Sequence, residues 1–118
     1  AYGVLEIRDG LSNTILLSED AGRPFIYRGR KKQDTLASDG GWADNENSYI
    51  THGSGTDGNG FGPCHTNCYN GNEVFSFHTD GANHVLGDGS VRFIRSSLNV
   101  RIFVRLLTRA GGEIASPD

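Results

Sequence analysis

The sequence predicts a mainly β, α+β domain: an antiparallel sheet with a C-terminal meander over about 73–95, one C-terminal helix over about 99–110, and a long irregular loop over 34–72. Three observations predict it. Apolar and polar residues alternate through 74–94, broken by Asp80-Gly81 and Asp88-Gly89, the dipeptides of tight hairpin turns. Ile102, Phe103, Leu106 and Leu107 recur at helical spacing, behind Ser97 or Asn99 as cap and before Gly111 as stop. Residues 34–72 hold eight Gly and almost no aliphatic side chain beyond Leu36 and Ile50. A chain of 118 residues suits a single domain over 1–118.

Each element has its own signal. Residues 4–8 read as a short strand closed by the Asp9-Gly10 turn. Thr14 to Ser18 is rich in branched residues and reads as a second strand. Phe25 to Arg28 reads as a third. A loop of about forty residues exceeds ordinary connections, so it should be functional, clamped or disordered. The meander strands are 74–78, 83–87 and 90–94. Two-residue turns would pair Leu86 with Val91, His84 with Phe93, Phe77 with His84 and Phe75 with Leu86. That register places Phe75, Phe77, His84, Leu86, Val91 and Phe93 on the core face. Ser76, His78, Asn83, Val85 and Arg92 take the other. Along the helix, Arg101, Arg105 and Arg109 form a separate solvated face that suits the negative end of the helix dipole.

Net charge is -3, but it is distributed in blocks. Residues 23–32 hold five basic residues and no acid, residues 33–89 eight acids and no Lys or Arg, and residues 90–109 five Arg and no acid. The acidic middle either holds cations or faces basic neighbours across a solvated surface. It would repel phosphate, which excludes nucleic acid as a partner. No apolar run approaches the length of a membrane span.

Several residue groups can carry chemistry. Cys64 and Cys68, four apart, fit a small disulfide loop or, with His65, half of a zinc site. The disulfide is favoured because residues 34–72 lack a core and need a clamp. Asp39, Asp44, Glu46, Asp57 and Asn59 offer hard oxygen ligands for calcium. Asp57-Gly58-Asn59-Gly60 resembles the start of a calcium loop without its full length or closing Glu. Trp42, Tyr49 and Tyr69 lie among amides and carboxylates, as on a glycan-binding surface; the plainer alternative is a mini-core under the loop. His52, His65, His78 and His84 are the ligands available to a copper or iron site, and so to a small metalloenzyme.

Residues 75–93, FSFHTDGANHVLGDGSVRF, contain His78, nine residues, then Asp88-Gly89. Asp9-Gly10-Leu11-Ser12-Asn13-Thr14-Ile15 with Glu19 forms a second block, and Leu107 to Glu113 a third. In this order the blocks resemble the prepilin-type processing-associated H-x(9)-D-G domain family. Its members are exported bacterial proteins of unknown function, also catalogued under an extracellular solute-binding label. The resemblance implies that the chain is the C-terminal part of a pilin-like head domain lacking its N-terminal hydrophobic helix. It implies an extracellular, cell-surface or periplasmic location and partners that are further copies or related pilin-like subunits. Membrane contact would come only through the absent helix, and no enzyme is implied. His84 departs from the family, which often has Phe there. In the register above, His78 and Asp88 lie roughly 13 Å apart along the strands, so the motif is read as two separate turns. The leading expectation is thus a pilin- or pseudopilin-like structural subunit for assembly or surface display. A glycan or solute-binding module using the loop aromatics, and a histidine-based metalloenzyme, are the alternatives.

Overall fold

The computed structural model describes residues 3–41, 44 and 51–111. Among these residues, strands β1 (Ile15–Ser18), β2 (Phe25–Arg28), β3 (Lys31–Leu36), β4 (Gly81–Leu86) and β5 (Val91–Arg95) precede one helix, α1 (Val100–Arg105). Short 3₁₀ turns occupy Val4–Glu6 and Leu11–Asn13. The strands form a three-stranded antiparallel sheet in the order β1–β4–β5 and a separate β2–β3 hairpin. This is the mainly antiparallel α+β fold with a C-terminal helix that the sequence predicts.

The meander differs in its first strand. Residues 74–78 do not pair with β4; β1 does, with Ile15 opposite Leu86 and Ser18 opposite His84. Val74 and Phe75 make only single bridges, to Thr66 and Asp20. The cause is local. Asn67 Nδ2 and Ser76 Oγ both donate to the Gly81 carbonyl, and Asp80 takes a left-handed φ of 62°. Side chains have claimed the carbonyl that opens β4, and the chain before it turns away.

The β4–β5 register also differs by one residue. Val85 faces Val91, His84 faces Arg92 and Asn83 faces Phe93. The turn has three residues rather than two: Gly89 N donates to Leu86 O (2.9 Å), Leu86 N to Ser90 O (2.9 Å), and Gly89 sits at φ 83°. This is a type I turn followed by a left-handed glycine bulge. A one-residue slip moves a strand's side chains to the opposite face. Ile94 is therefore buried, whereas Val91 and Phe93, expected in the core, are 64% and 46% exposed. Phe77 is likewise exposed. Phe75, His84 and Leu86 are buried as expected.

The helix is shorter than the expected 99–110. Asn99 caps it, its side chain accepting from Arg101 N (2.9 Å). Beyond Arg105 the carbonyls are taken by the N-terminal segment: Ile15 N donates to Leu106 O (2.7 Å) and Arg8 N to Arg109 O (2.6 Å). The Asp9 carboxylate accepts from Thr108 Oγ1 (3.1 Å) and Gly111 N (2.8 Å). Residues 4–8, expected as a strand, instead begin with the Val4–Glu6 turn, where Gly3 N donates to Glu6 Oε2 (2.8 Å).

The core joins the inner face of the sheet to α1: Ile15, Val74, Ala82, Leu86, Ile94, Phe103 and Leu106. Tyr27, Phe75 and Phe77 make a second, aromatic cluster, with ring centroids 5.3–5.8 Å apart.

Candidate functional site

The H-x(9)-D-G residues occupy two separate places. Asp88 Oδ1 accepts from Ser90 N (2.9 Å) and Ser90 Oγ (2.6 Å), closing the β4–β5 turn. Those bonds hold the Asp88 carboxyl below the usual carboxylate range. His78 sits before the opposite end of β4. Its Nε2 lies 3.5 Å from Glu19 Oε1 and 3.3 Å from Asn83 Nδ2. Glu19 in turn accepts from Asn83 N (2.6 Å), joining β1 to β4. His78 and Asp88 share no contact among the described residues.

The other histidines serve different neighbours. His65 is fully buried and stacks on Phe103 at 4.2 Å. Its ring nitrogens meet Thr66 Oγ1 (2.7 Å) and the Leu98 carbonyl (2.8 Å). His84 reaches the same Phe103 edge-on from the sheet, and its Nδ1 meets Ser18 Oγ at 2.8 Å. Its Nε2 is buried without a partner. Burial pushes His84 down to about 4; Glu19 opposes the shift and His65 adds to it. Burial also lowers His65, against the pull of the Leu98 carbonyl. His52 Nδ1 lies 2.9 Å from Glu73 Oε1. Burial raises the Glu73 carboxyl despite that neighbour. The structure thus brings His65 and His84 to one ring but does not gather the four histidines.

The acidic residues are likewise spread. Asp39 accepts from Arg23 (3.3 Å), whose guanidinium also pairs with Asp20 at 2.7 Å. Burial pushes Asp20 up to about 7, with Asp39 and Glu73 adding to the shift against Arg23. The Asp57 carboxylate accepts from Asn59 Nδ2 (3.1 Å) and Asn59 N (3.0 Å), which lowers it. Asp44 N donates to Gly41 O (2.9 Å), and Glu46 lies outside the described residues. Among the described residues, no three His, Cys, Asp or Glu side chains gather as a metal site.

A disulfide joins Cys64 and Cys68. Around it the loop is held by amides. Asn70 is fully buried; its Oδ1 accepts from Tyr27 N (2.7 Å) and its Nδ2 donates to Ala21 O (3.0 Å) and Phe25 O (2.9 Å). The Arg28 guanidinium lies over the Tyr69 ring at 4.0 Å, so this aromatic already carries a cation on one face. Trp42 and Tyr49 lie outside the described residues.

The outer face of the β1–β4–β5 sheet was not foreseen. The register sets Leu17, Val85 and Val91 side by side across three strands. They line a shallow hollow of about 180 Å³ with Glu19 and Asn83. Leu17 is 61% exposed. Only the three-residue turn places Val91 there, so a register built on a two-residue turn hides it.

These features define a small, disulfide-clamped α+β domain whose sheet is apolar on both faces. Residues 1–101 match a family model described as a protein of unknown function, DUF1559, and the chain belongs to that family. No curated protein and no solved structure matches it.

Proposed function

We propose that the chain is an extracellular, pilin- or pseudopilin-like structural subunit that acts in assembly or surface display. The observation that carries this reading is the apolar row Leu17, Val85 and Val91, exposed at Leu17 and Val91 and half-buried at Val85, on a sheet whose other face is already covered by α1. A sheet apolar on both faces is built to be covered on both. A second copy, or a related subunit, is the cover we assign to the outer face. The H-x(9)-D-G pattern at His78, Asp88 and Gly89 supports the pilin-like assignment through the resemblance stated above. The Cys64–Cys68 disulfide supports export to an oxidising compartment.

The test is a photo-crosslinking amino acid at Val91 of the full-length protein in its native cell. The expected result is a ladder of self-crosslinks in the cell-envelope or extracellular fraction. A cytosolic protein, or one that never crosslinks to itself, would overturn the reading.

A further inference from the structure

A hollow of about 440 Å³ lies at the open end of the β4–β5 hairpin, further along the face that carries Val91 and beside His78, whose ring meets Phe93 edge-on at 6.2 Å. Thr79, Asp80, Phe93, Arg95, Ser96 and Ser97 line it. Its volume is that of a small-molecule site. The fold builds it from two fixed points. Ser96 N donates to Asp80 O (2.8 Å), which ties the turn before β4 to the end of β5. Gly81 leaves room for the Phe93 ring, since a Cβ there would come 2.6 Å from that ring. Asp80 holds a left-handed φ of 62° within this wall, a conformation a non-glycine residue adopts at a cost.

The lining carries one charge of each sign. Asp80 and Arg95 border the same hollow, and the Asp80 carboxylate and Arg95 guanidinium do not pair with each other. Neither makes a hydrogen bond or ion pair with any described residue. Both side chains are exposed and can be solvated by water, but a ligand bearing both charges would find a partner for each in one hollow. We propose that this cleft binds a zwitterionic solute of the free amino-acid or dipeptide class. Arg95 takes the carboxylate through its paired N–H donors. Asp80 takes the ammonium. Phe93, almost half exposed, receives the apolar side chain. The hydroxyls of Thr79, Ser96 and Ser97 serve the remaining polar atoms. A uronic sugar would satisfy Arg95 but offer Asp80 only neutral hydroxyls in place of a cation.

The test is a titration of the isotope-labelled chain followed by amide NMR. The probes are L-leucine and alanyl-leucine, with N-acetyl-leucine, leucinamide and glucuronate as contrasts. The expected result is saturable shifts confined to residues 79–81 and 93–97 with at least one zwitterion. Acetylation or amidation should weaken binding by about tenfold or more, the loss of one charge-assisted contact. Asp80→Asn, which keeps a residue tolerant of the left-handed region, and Arg95→Gln should each lose the shifts while retaining the rest of the spectrum. Three results would overturn the proposal: no saturable shift with either zwitterion, an equal response to the blocked compounds, or a response to glucuronate alone. The contrast series decides the matter on the wild-type chain even if a variant fails to fold.

Discussion

The sheet half of this domain and the loop half, residues 51–76, bury similar amounts of chain by different chemistry. In the sheet half, Ile15, Ala82, Leu86, Ile94, Phe103 and Leu106 close on one another, and the strand ladders satisfy the backbone. In the loop half the buried set includes Ser54, His65, Thr66, Asn67, Asn70, Glu73 and Ser76, beside Val74 and Phe75. A primary amide presents an acceptor and two donors, so it can stand in for a neighbouring strand. Asn70 does this for Tyr27, Ala21 and Phe25. Asn67 does it for Ser76 N and Gly81 O. The lesson is that an apolar core tolerates approximate shape, whereas a buried polar loop tolerates almost no missing partner.

Replacing one buried amide should break the loop half first. Asn70→Ala strands two carbonyls and one N–H, and should cost about 4 kcal/mol in urea denaturation. Leu86→Ile, a volume-conserving change in the sheet half, should cost less than about 1.5 kcal/mol. Equal losses would erase the distinction between the halves.

Acid and base should then act on the halves in opposite directions. His84, against the core, is held down to about 4. The unfolded chain accepts that proton near the ordinary 6.5 and the folded chain refuses it. Its contribution is fully present above 6.5 and is lost as pH falls towards 4, to a limit of about 3 kcal/mol. Asp20, beside the loop, is pushed up to about 7 from 3.8. The folded chain keeps a proton that the unfolded chain releases. Its contribution is fully present below 3.8 and is lost as pH rises through 7. Thermal melts from pH 4 to 8 should show His84→Gln losing less on the acid side than wild type. Asp20→Asn should lose less on the neutral side. A wild-type profile in either variant would remove that group from the account.

The disulfide offers a gentler separation. Its closed loop is short, so Cys64→Ser with Cys68→Ser should cost about 2 kcal/mol by loop entropy. Hydrogen exchange should quicken over residues 64–76 while β4 and β5 keep their protection. Uniform quickening would show the two halves to be one cooperative unit.

The sheet half was the more legible in sequence, because alternation and helical spacing report directly on burial. Phe25–Arg28, β1 and the Asn99 cap stand where those patterns place them. The β2–β3 turn was silent: Gly29 and Arg30 both take positive φ, 51° and 64°, but Gly-Arg lacks the usual Asn-Gly signature. The meander register failed on a single glycine, Gly89, whose left-handed bulge no dipeptide rule distinguishes from a two-residue turn. The loop half was legible only as a clamp at Cys64 and Cys68. Asparagines at 67 and 70 look like turn formers until their carbonyl and N–H partners, scattered over 21–27 and 76–81, are brought beside them. The Asp80–Arg95 cleft joins residues whose strands pair out of the expected register, and so it had no signal at all.

The smallest effect should come from the H-x(9)-D-G residues. Asp88 closes the far turn of the sheet half through Ser90. His78 faces Glu19 and Asn83 at the other end of β4, where the loop enters. If the motif marks two independent structural tasks, Asp88→Ala should lower the melting temperature by a few degrees and His78→Ala by less. The double variant should then lose the sum of the two, because distant residues without shared partners add. A double loss clearly different from that sum would mean that His78 and Asp88 work as one unit through β4. The motif would then mark a coupled strand rather than two turns, and the two halves would be joined along its length.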